Sequence, residues 1–257
     1  MTKRRRFILT SIALSFGFVA IQYLPDSLRF LSIGSLGLTS ILFFWWSLSG
    51  GIGKNATLLT LVLPFLFTIG VGLFWFLLPV SLLTRIPVII LFALGIYALS
   101  LTANIYTVSA IRTIALLRTA RGVGFVITLF TFFLTFDTIF SFKWPIIFNF
   151  ITIFSFSFLL FLQGFWSVTL EKDLSRENLN LALISSLIVG EIAAMLFFWP
   201  VSVVVGSLFL TSASYLLLGL GQAHLEERFF AQTVREYLLI GIAVFFGMFI
   251  ATRWGGN

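Results

Sequence analysis

The spacing of its apolar runs constrains this chain more than any other feature. Stretches of about 20 residues with almost no charge follow one another along nearly the whole length, joined by short connectors. A helix rising ~1.5 Å per residue covers a hydrocarbon core of ~30 Å in that distance. Composition points the same way: 60% of the residues are hydrophobic, 10% are charged, and the mean hydropathy is +1.11. A soluble domain carries about 25% charged residues, so a surface this poor in polar groups requires lipid as its solvent. Hydrocarbon cannot bond to a peptide group, and a helix satisfies its backbone within one segment.

These features predict an all-α, polytopic integral membrane bundle of about nine transmembrane helices in a single domain. The spans fall at roughly 7–24, 30–50, 57–79, 87–105, 122–141, 146–168, 181–199, 201–220 and 237–252. Pro25, Pro79, Pro87, Pro145 and Pro200 lie at or near span ends, where a residue without an N–H breaks a helix cheaply. Pro64 lies inside the third span and predicts a kink. The start TKRRRFILTSIALSFGFVAIQYL would also suit a signal peptide, but it lacks a small-x-small site and further spans follow, so it reads as an uncleaved first helix.

The basic residues predict the orientation. With the N-terminus inside, Lys3, Arg4, Arg5, Arg6, Lys54, Arg112, Arg118, Arg121, Lys172, Arg176, Arg228 and Arg235 fall on the inner side, and only Arg29, Arg85, Lys143 and Arg253 on the outer. The positive-inside rule selects that arrangement. It puts the N-terminus in the cytoplasm, the C-terminus outside, and the chain in a plasma or inner membrane. Trp45, Trp46 and Trp166 then lie toward the inner face, with Trp75, Trp144, Trp199 and Trp254 toward the outer, as an aromatic belt distributes.

The net charge of +7 and pI of about 10.3 therefore read as attraction to anionic lipid headgroups, not to nucleic acid, for which no loop is long enough. The inner stretch 107–121 has Arg112, Arg118 and Arg121 and no acid. Its Ile111, Ile114, Leu116 and Leu117 suit a short helix lying on the membrane surface. Two further inner loops, TLEKDLSRENLN and GQAHLEERFFAQTVRE, are slightly acidic. The three loops are expected to dock on each other or to form a cytoplasmic patch for lipid or a partner.

Glu191 is the residue that most needs explaining. It stands in LIVGEIAAMLFFWP, about 15 Å from either end of its span. An acid at a span centre costs ~2.5–3.5 kcal/mol on insertion scales, and even a neutral carboxyl needs hydrogen-bond partners there. Ala182, Ser186, Gly190 and Ala194 recur every four residues and suit a close helix–helix seam. Glu191 lies about 60° from Ala194, so the spacing predicts that it points into that seam. The next span offers Ser207, Thr211, Ser214 and Tyr215 as a polar strip, and Ser207 and Thr211 bracket the depth of Glu191. A hydrogen bond from Glu191 to one of them is expected. Asp137, near the outer end of the fifth span, forms a secondary candidate with Asn149, its carboxyl reaching the interface with help from Lys143 or Asn149.

Several chemistries fail on inventory. The chain has no Cys and one His, which excludes Cys-based zinc, iron–sulfur or disulfide sites and a bis-His haem. His224 with Glu226 and Glu227 makes a poor metal site. No Ser–His arrangement, outer carboxylate pair, phosphate loop or dinucleotide motif is present. We expect no cofactor and no metal. The leading expectation is a non-enzymatic membrane scaffold or assembly partner that meets the bilayer and other membrane proteins or itself. The rival is a small transporter or channel that uses Glu191 as a proton or cation site. A water-filled cavity at Glu191 would favour the rival, and a dry, packed centre the scaffold. A third reading, a membrane enzyme acting on lipid, would need a polar pocket near His224 or the Arg112–Arg121 loop.

Overall fold

The computed structural model describes residues 2–49, 57–78, 82–109, 115–171 and 174–252. Among these residues there are nine α-helices and no strand: α1 (Lys3–Ile21), α2 (Arg29–Leu48), α3 (Thr57–Trp75), α4 (Leu82–Ser109), α5 (Leu117–Ser141), α6 (Ile146–Thr169), α7 (Arg176–Phe197), α8 (Val203–Leu225) and α9 (Ala231–Ala251). Each expected span falls on one of them. Seven are long and apolar enough to cross a membrane: α2, α4, α5, α6, α7, α8 and α9. The chain is therefore an integral membrane protein with a polytopic helical architecture. In α1 the first turn is taken up by Lys3, Arg4, Arg5 and Arg6, and in α3 the shorter stretch Leu59–Trp75 is the apolar part.

Helix ends depart from the hydropathy boundaries where polar residues prolong a helix. α7 starts at Arg176, not 181, because Ser175 caps it: the Glu177 N–H donates to Ser175 Oγ at 3.1 Å, and Glu177 sits in the first turn where the helix dipole favours an acid. α8 runs on to Leu225 and α9 begins at Ala231, so the connector between them is far shorter than apolarity suggests. Pro87 lies inside α4, not ahead of it, and Pro64 lies inside α3.

The chain divides into two compact units, Met1–Thr131 with Leu170–Asp173, and Phe132–Thr169 with Leu174–Asn257. The boundary falls inside α5, with no linker and no change of composition to mark it.

In the first unit α1 packs on α2 and α4, and α3 on α2 and α4. Its core is aromatic. Phe18 stacks on Phe92 at 4.8 Å and meets Trp75 edge-on at 5.2 Å, and Phe67 stacks on the other side of this group, 5.9 Å from Phe92. Such contacts add about 0.5–1.5 kcal/mol each beyond area burial. The Ser11 hydroxyl crosses from α1 to donate to the Ala93 carbonyl of α4 at 2.6 Å.

In the second unit α6 packs along α7, and α8 touches α6, α7 and α9. Small residues make the α6–α7 seam close: Ala182, Ser186, Val189 and Ala193 of α7 are fully buried, and a Cβ on Gly190 would come within 2.9 Å of the Phe150 ring. On α6 every residue from Phe161 to Val168 is buried. Phe161 stacks on Phe165 at 5.8 Å and tilts against Phe132 at 5.0 Å. The α6–α8 seam is tied by Gln222, whose Nε2 donates to the Gly164 carbonyl at 3.0 Å.

This seam has no room for a methyl group at Gly221, where a Cβ would overlap the ring of Phe165, itself fully buried. Gly221→Ala should therefore destabilise the protein by about 1–3 kcal/mol, the usual cost of overpacking a filled core. Thermal unfolding in a mild detergent reads this as a clear fall in Tm. An unchanged Tm would mean that α6 and α8 do not approach this closely.

Candidate functional site

The C-terminal half of α5 reads LFTFFLTFDTIFS, and its residues 134–139 are all buried. Most of its hydroxyls are spent on their own helix. Thr128 donates to the Gly124 carbonyl at 2.8 Å, Thr131 to Ile127 at 2.8 Å and Thr138 to Leu134 at 2.7 Å. Asp137 has no such local outlet. It is 6% exposed, and its Oδ1 lies 3.0 Å from Ser207 Oγ of α8. Ser207 is also within 2.8 Å of the Val203 carbonyl and 3.2 Å of the Val204 carbonyl. One hydroxyl proton thus has three acceptors in reach. An ionised Asp137 draws that proton to Oδ1. A neutral Asp137 donates to Ser207 Oγ, which then donates to Val203. The geometry serves both states of the carboxyl.

This pairing corrects two expectations. Ser207 holds Asp137, not Glu191. Asp137 in turn is not helped by Lys143 or Asn149. The Asn149 Nδ2 instead donates to the Trp144 carbonyl at 3.1 Å, closing the turn before α6, and Lys143 is exposed. The signal that would have found the pair is depth. Asp137 lies one helical turn before the end of α5 at Ser141, and Ser207 one turn after the start of α8 at Val203. Pairing only helices adjacent in the chain hides this match.

The rest of the expected strip on α8 does not converge. Thr211 donates to the Ser207 carbonyl at 2.7 Å and Ser214 to Leu210 at 3.0 Å, both within α8. The Tyr215 ring packs against Tyr237 of α9 at 5.3 Å.

Glu191 faces out of the chain. It is exposed, and it has no hydrogen bond or ion pair with any described residue. The seam was expected on the side of Ala194, but α7 packs through Ala182, Val189 and Ala193. At about 100° per residue those positions lie about 160–180° from Glu191. Its neighbours along the helix face are Ile184, Leu187, Met195 and Phe198, all exposed. The carboxyl therefore interrupts an apolar stripe.

Two of the charged connectors meet each other. The Nε2 of His224 at the end of α8 lies 3.2 Å from Glu177 Oε1 at the start of α7, and Arg228 lies 3.4 Å from Glu226. Of the stretch 107–121 expected as a surface helix, residues 107–109 finish α4 and Leu117 opens α5 with Arg118 and Arg121 in its first turns, while Ile111, Arg112 and Ile114 lie outside the described residues. Among the described residues no three His, Asp or Glu side chains are grouped to hold a metal.

Three clefts stand out. One of about 570 Å³ in the first unit is almost wholly apolar, lined by Phe67, Leu91, Gly95 and Val126. Another of about 400 Å³ lies among α7, α8 and α9, beside Ile192, Phe209, Leu216 and Gly241. The third, about 360 Å³, sits at the Lys143 end of the second unit, beside Asn149 and Val203. Glu191 lines none of them.

A family model described as "Protein of unknown function (DUF5656)" matches residues 10–251. The chain belongs to this family. The match takes in Asp137, Ser207, Glu191 and the Lys143 cleft, so all the candidate features lie within the family region. No curated protein and no solved structure matches the chain.

The Asp137–Ser207 bond is open to a direct test. Ser207→Ala leaves a buried carboxyl without its partner and should cost about 1–3 kcal/mol, whereas Asp137→Asn keeps an acceptor for Ser207 and should cost less. In a double-mutant cycle on detergent-solubilised protein, Ser207→Ala and Asp137→Leu should couple by about 0.5–3 kcal/mol. Additive losses would show that the two side chains do not interact.

Proposed function

We propose that the protein is a non-enzymatic assembly partner within the membrane, and that α7 offers Glu191 to a transmembrane helix of another subunit. The observation that carries this reading is the exposed carboxyl in the middle of the apolar stripe of Ile184, Leu187, Met195 and Phe198. Left facing hydrocarbon, an acid at this depth costs ~2.5–3.5 kcal/mol on insertion scales. A partner helix carrying a hydroxyl, amide or basic group removes that cost, and an interhelical bond of this kind contributes ~0.6 kcal/mol on average and ~1–2 in model peptides. The transport reading centred on Glu191 has less behind it, since none of the three clefts reaches the carboxyl.

The absence of Cys makes the test clean. A single Cys placed at Leu187 or Met195 and treated with a bifunctional crosslinker in native membranes should give one discrete adduct. Its mass distinguishes a second copy from another protein. A Cys at buried Val189 should give none. The adduct should persist in Glu191→Gln and disappear in Glu191→Leu. An adduct indifferent to both substitutions would defeat the proposal.

The same reading places the N-terminus in the cytoplasm of a plasma or inner membrane, with Arg4, Arg5 and Arg6 against anionic headgroups and the C-terminus outside. This rests on the distribution of Lys and Arg along the sequence. Reporters active on only one side of the membrane, fused in turn to each terminus, should give opposite signals. Equal signals would mean an even number of crossings.

A further inference from the structure

We propose that the cleft at the Lys143 end of the second unit binds the headgroup of an anionic phospholipid that carries hydroxyl groups, of the phosphatidylglycerol type.

The argument begins with Asn149. Its side chain is 3% exposed, its Nδ2 is committed to the Trp144 carbonyl, and its Oδ1 is buried without any hydrogen-bond partner. Buried polar atoms in folded proteins are nearly always satisfied. Asn149 lines the cleft, so a donor bound there that reached this oxygen would supply what it lacks.

The other polar groups around the cleft call for an anion. Lys143 lines it, is exposed, and forms no ion pair with a described residue. Its backbone φ is 50°, the left-handed region that glycine or asparagine occupies more cheaply. A lysine held there at a conformational cost is the sort of outlier from which a functional role is inferred. The start of α8 forms another part of the rim. Ser202 Oγ accepts from the Val205 N–H at 3.4 Å, and the Gly206 N–H donates to the Ser202 carbonyl at 2.9 Å. The Val203 and Val204 N–H groups precede the first intrahelical bonds and remain open, at the positive end of a 23-residue helix. Backbone donors of this kind suit phosphate.

These two demands together select the ligand. A phosphodiester without further hydroxyls cannot satisfy Asn149 Oδ1, because it has no proton to donate. An ammonium headgroup could donate but would stand beside Lys143 and be repelled. A phosphate linked to a polyol meets both conditions. The remaining wall of the cleft is apolar, from Phe140, Leu196 and Phe197. It suits the first carbons of acyl chains and favours a lipid over a soluble phosphate ester. Trp144 and Trp199 flank the same helix ends, where aromatic residues mark the headgroup level.

The test uses the full chain in detergent with defined lipid added. Phosphatidylglycerol should raise Tm and stay bound in native mass spectrometry, each at a lipid concentration at least tenfold below that needed for phosphatidylcholine or phosphatidic acid. Lys143→Gly removes the cation and suits the left-handed backbone. It should melt at or above the wild-type temperature without lipid, yet lose at least tenfold in phosphatidylglycerol affinity. Equal protection by phosphatidylcholine would overturn the proposal, as would a Lys143→Gly variant that binds like wild type. Phosphatidic acid matching phosphatidylglycerol would overturn the assignment of a polyol headgroup. Glycerol 3-phosphate protecting as well as the lipid would show that the ligand is soluble and refute the lipid assignment.

Discussion

Hydrocarbon offers no hydrogen bonds, and the rest of this structure follows from that fact. Peptide groups must bond within their own helix. Side-chain hydroxyls obey the same demand: Thr68 turns back to the Pro64 carbonyl, Ser100 to Ile96, Thr128 to Gly124 and Ser214 to Leu210. A hydroxyl so engaged costs the membrane little and ties nothing together. Hydroxyls that reach another helix, such as Ser11 and Tyr106 in the first unit and Ser207 in the second, add polar cohesion, as do the amides of Asn178 and Gln222. Packing does the remainder, through Phe rings in both cores and small residues along the α6–α7 seam.

The helices were legible because about 20 apolar residues in lipid have few alternatives to a helix. Their ends were less so. Hydropathy marks where lipid begins, and capping decides where the helix begins, which is why α7 starts at Arg176 behind Ser175. The division into two units left no trace, since it falls within the unbroken helix α5. At the candidate site the residue types were readable and the partners were not. Glu191 and Ser207 were both recognised as polar groups in need of company. Which face of α7 forms the seam depends on the large side chains opposite, Phe150 among them, and no periodicity within α7 contains that information. Asn149 and Lys143 stood out weakly, because their significance lies in an unpaired oxygen and a left-handed backbone, neither visible in a string of letters.

The carboxyls of Asp137 and Glu191 have opposite surroundings. Asp137 is enclosed and has a serine whose proton can turn toward it or away. Glu191 is exposed and has no hydrogen bond or ion pair with a described residue. The first is an internal matter of folding. The second makes sense only in relation to whatever surrounds the protein.

α9 differs from the other helices of its unit in how little it contributes to the core. Met248 is its one buried residue among those described, while Leu238, Leu239, Ile242, Phe246 and Ile250 are exposed. It is held to α8 by ring contacts, Tyr237 on Tyr215 and Phe245 on Phe209, and to the turn before α8 by the Trp199 N–H bond to Thr252 just past its end. During synthesis it leaves the ribosome after the helices it touches. The seams among α6, α7 and α8 are made without it, so the contacts that hold those three helices together do not depend on α9.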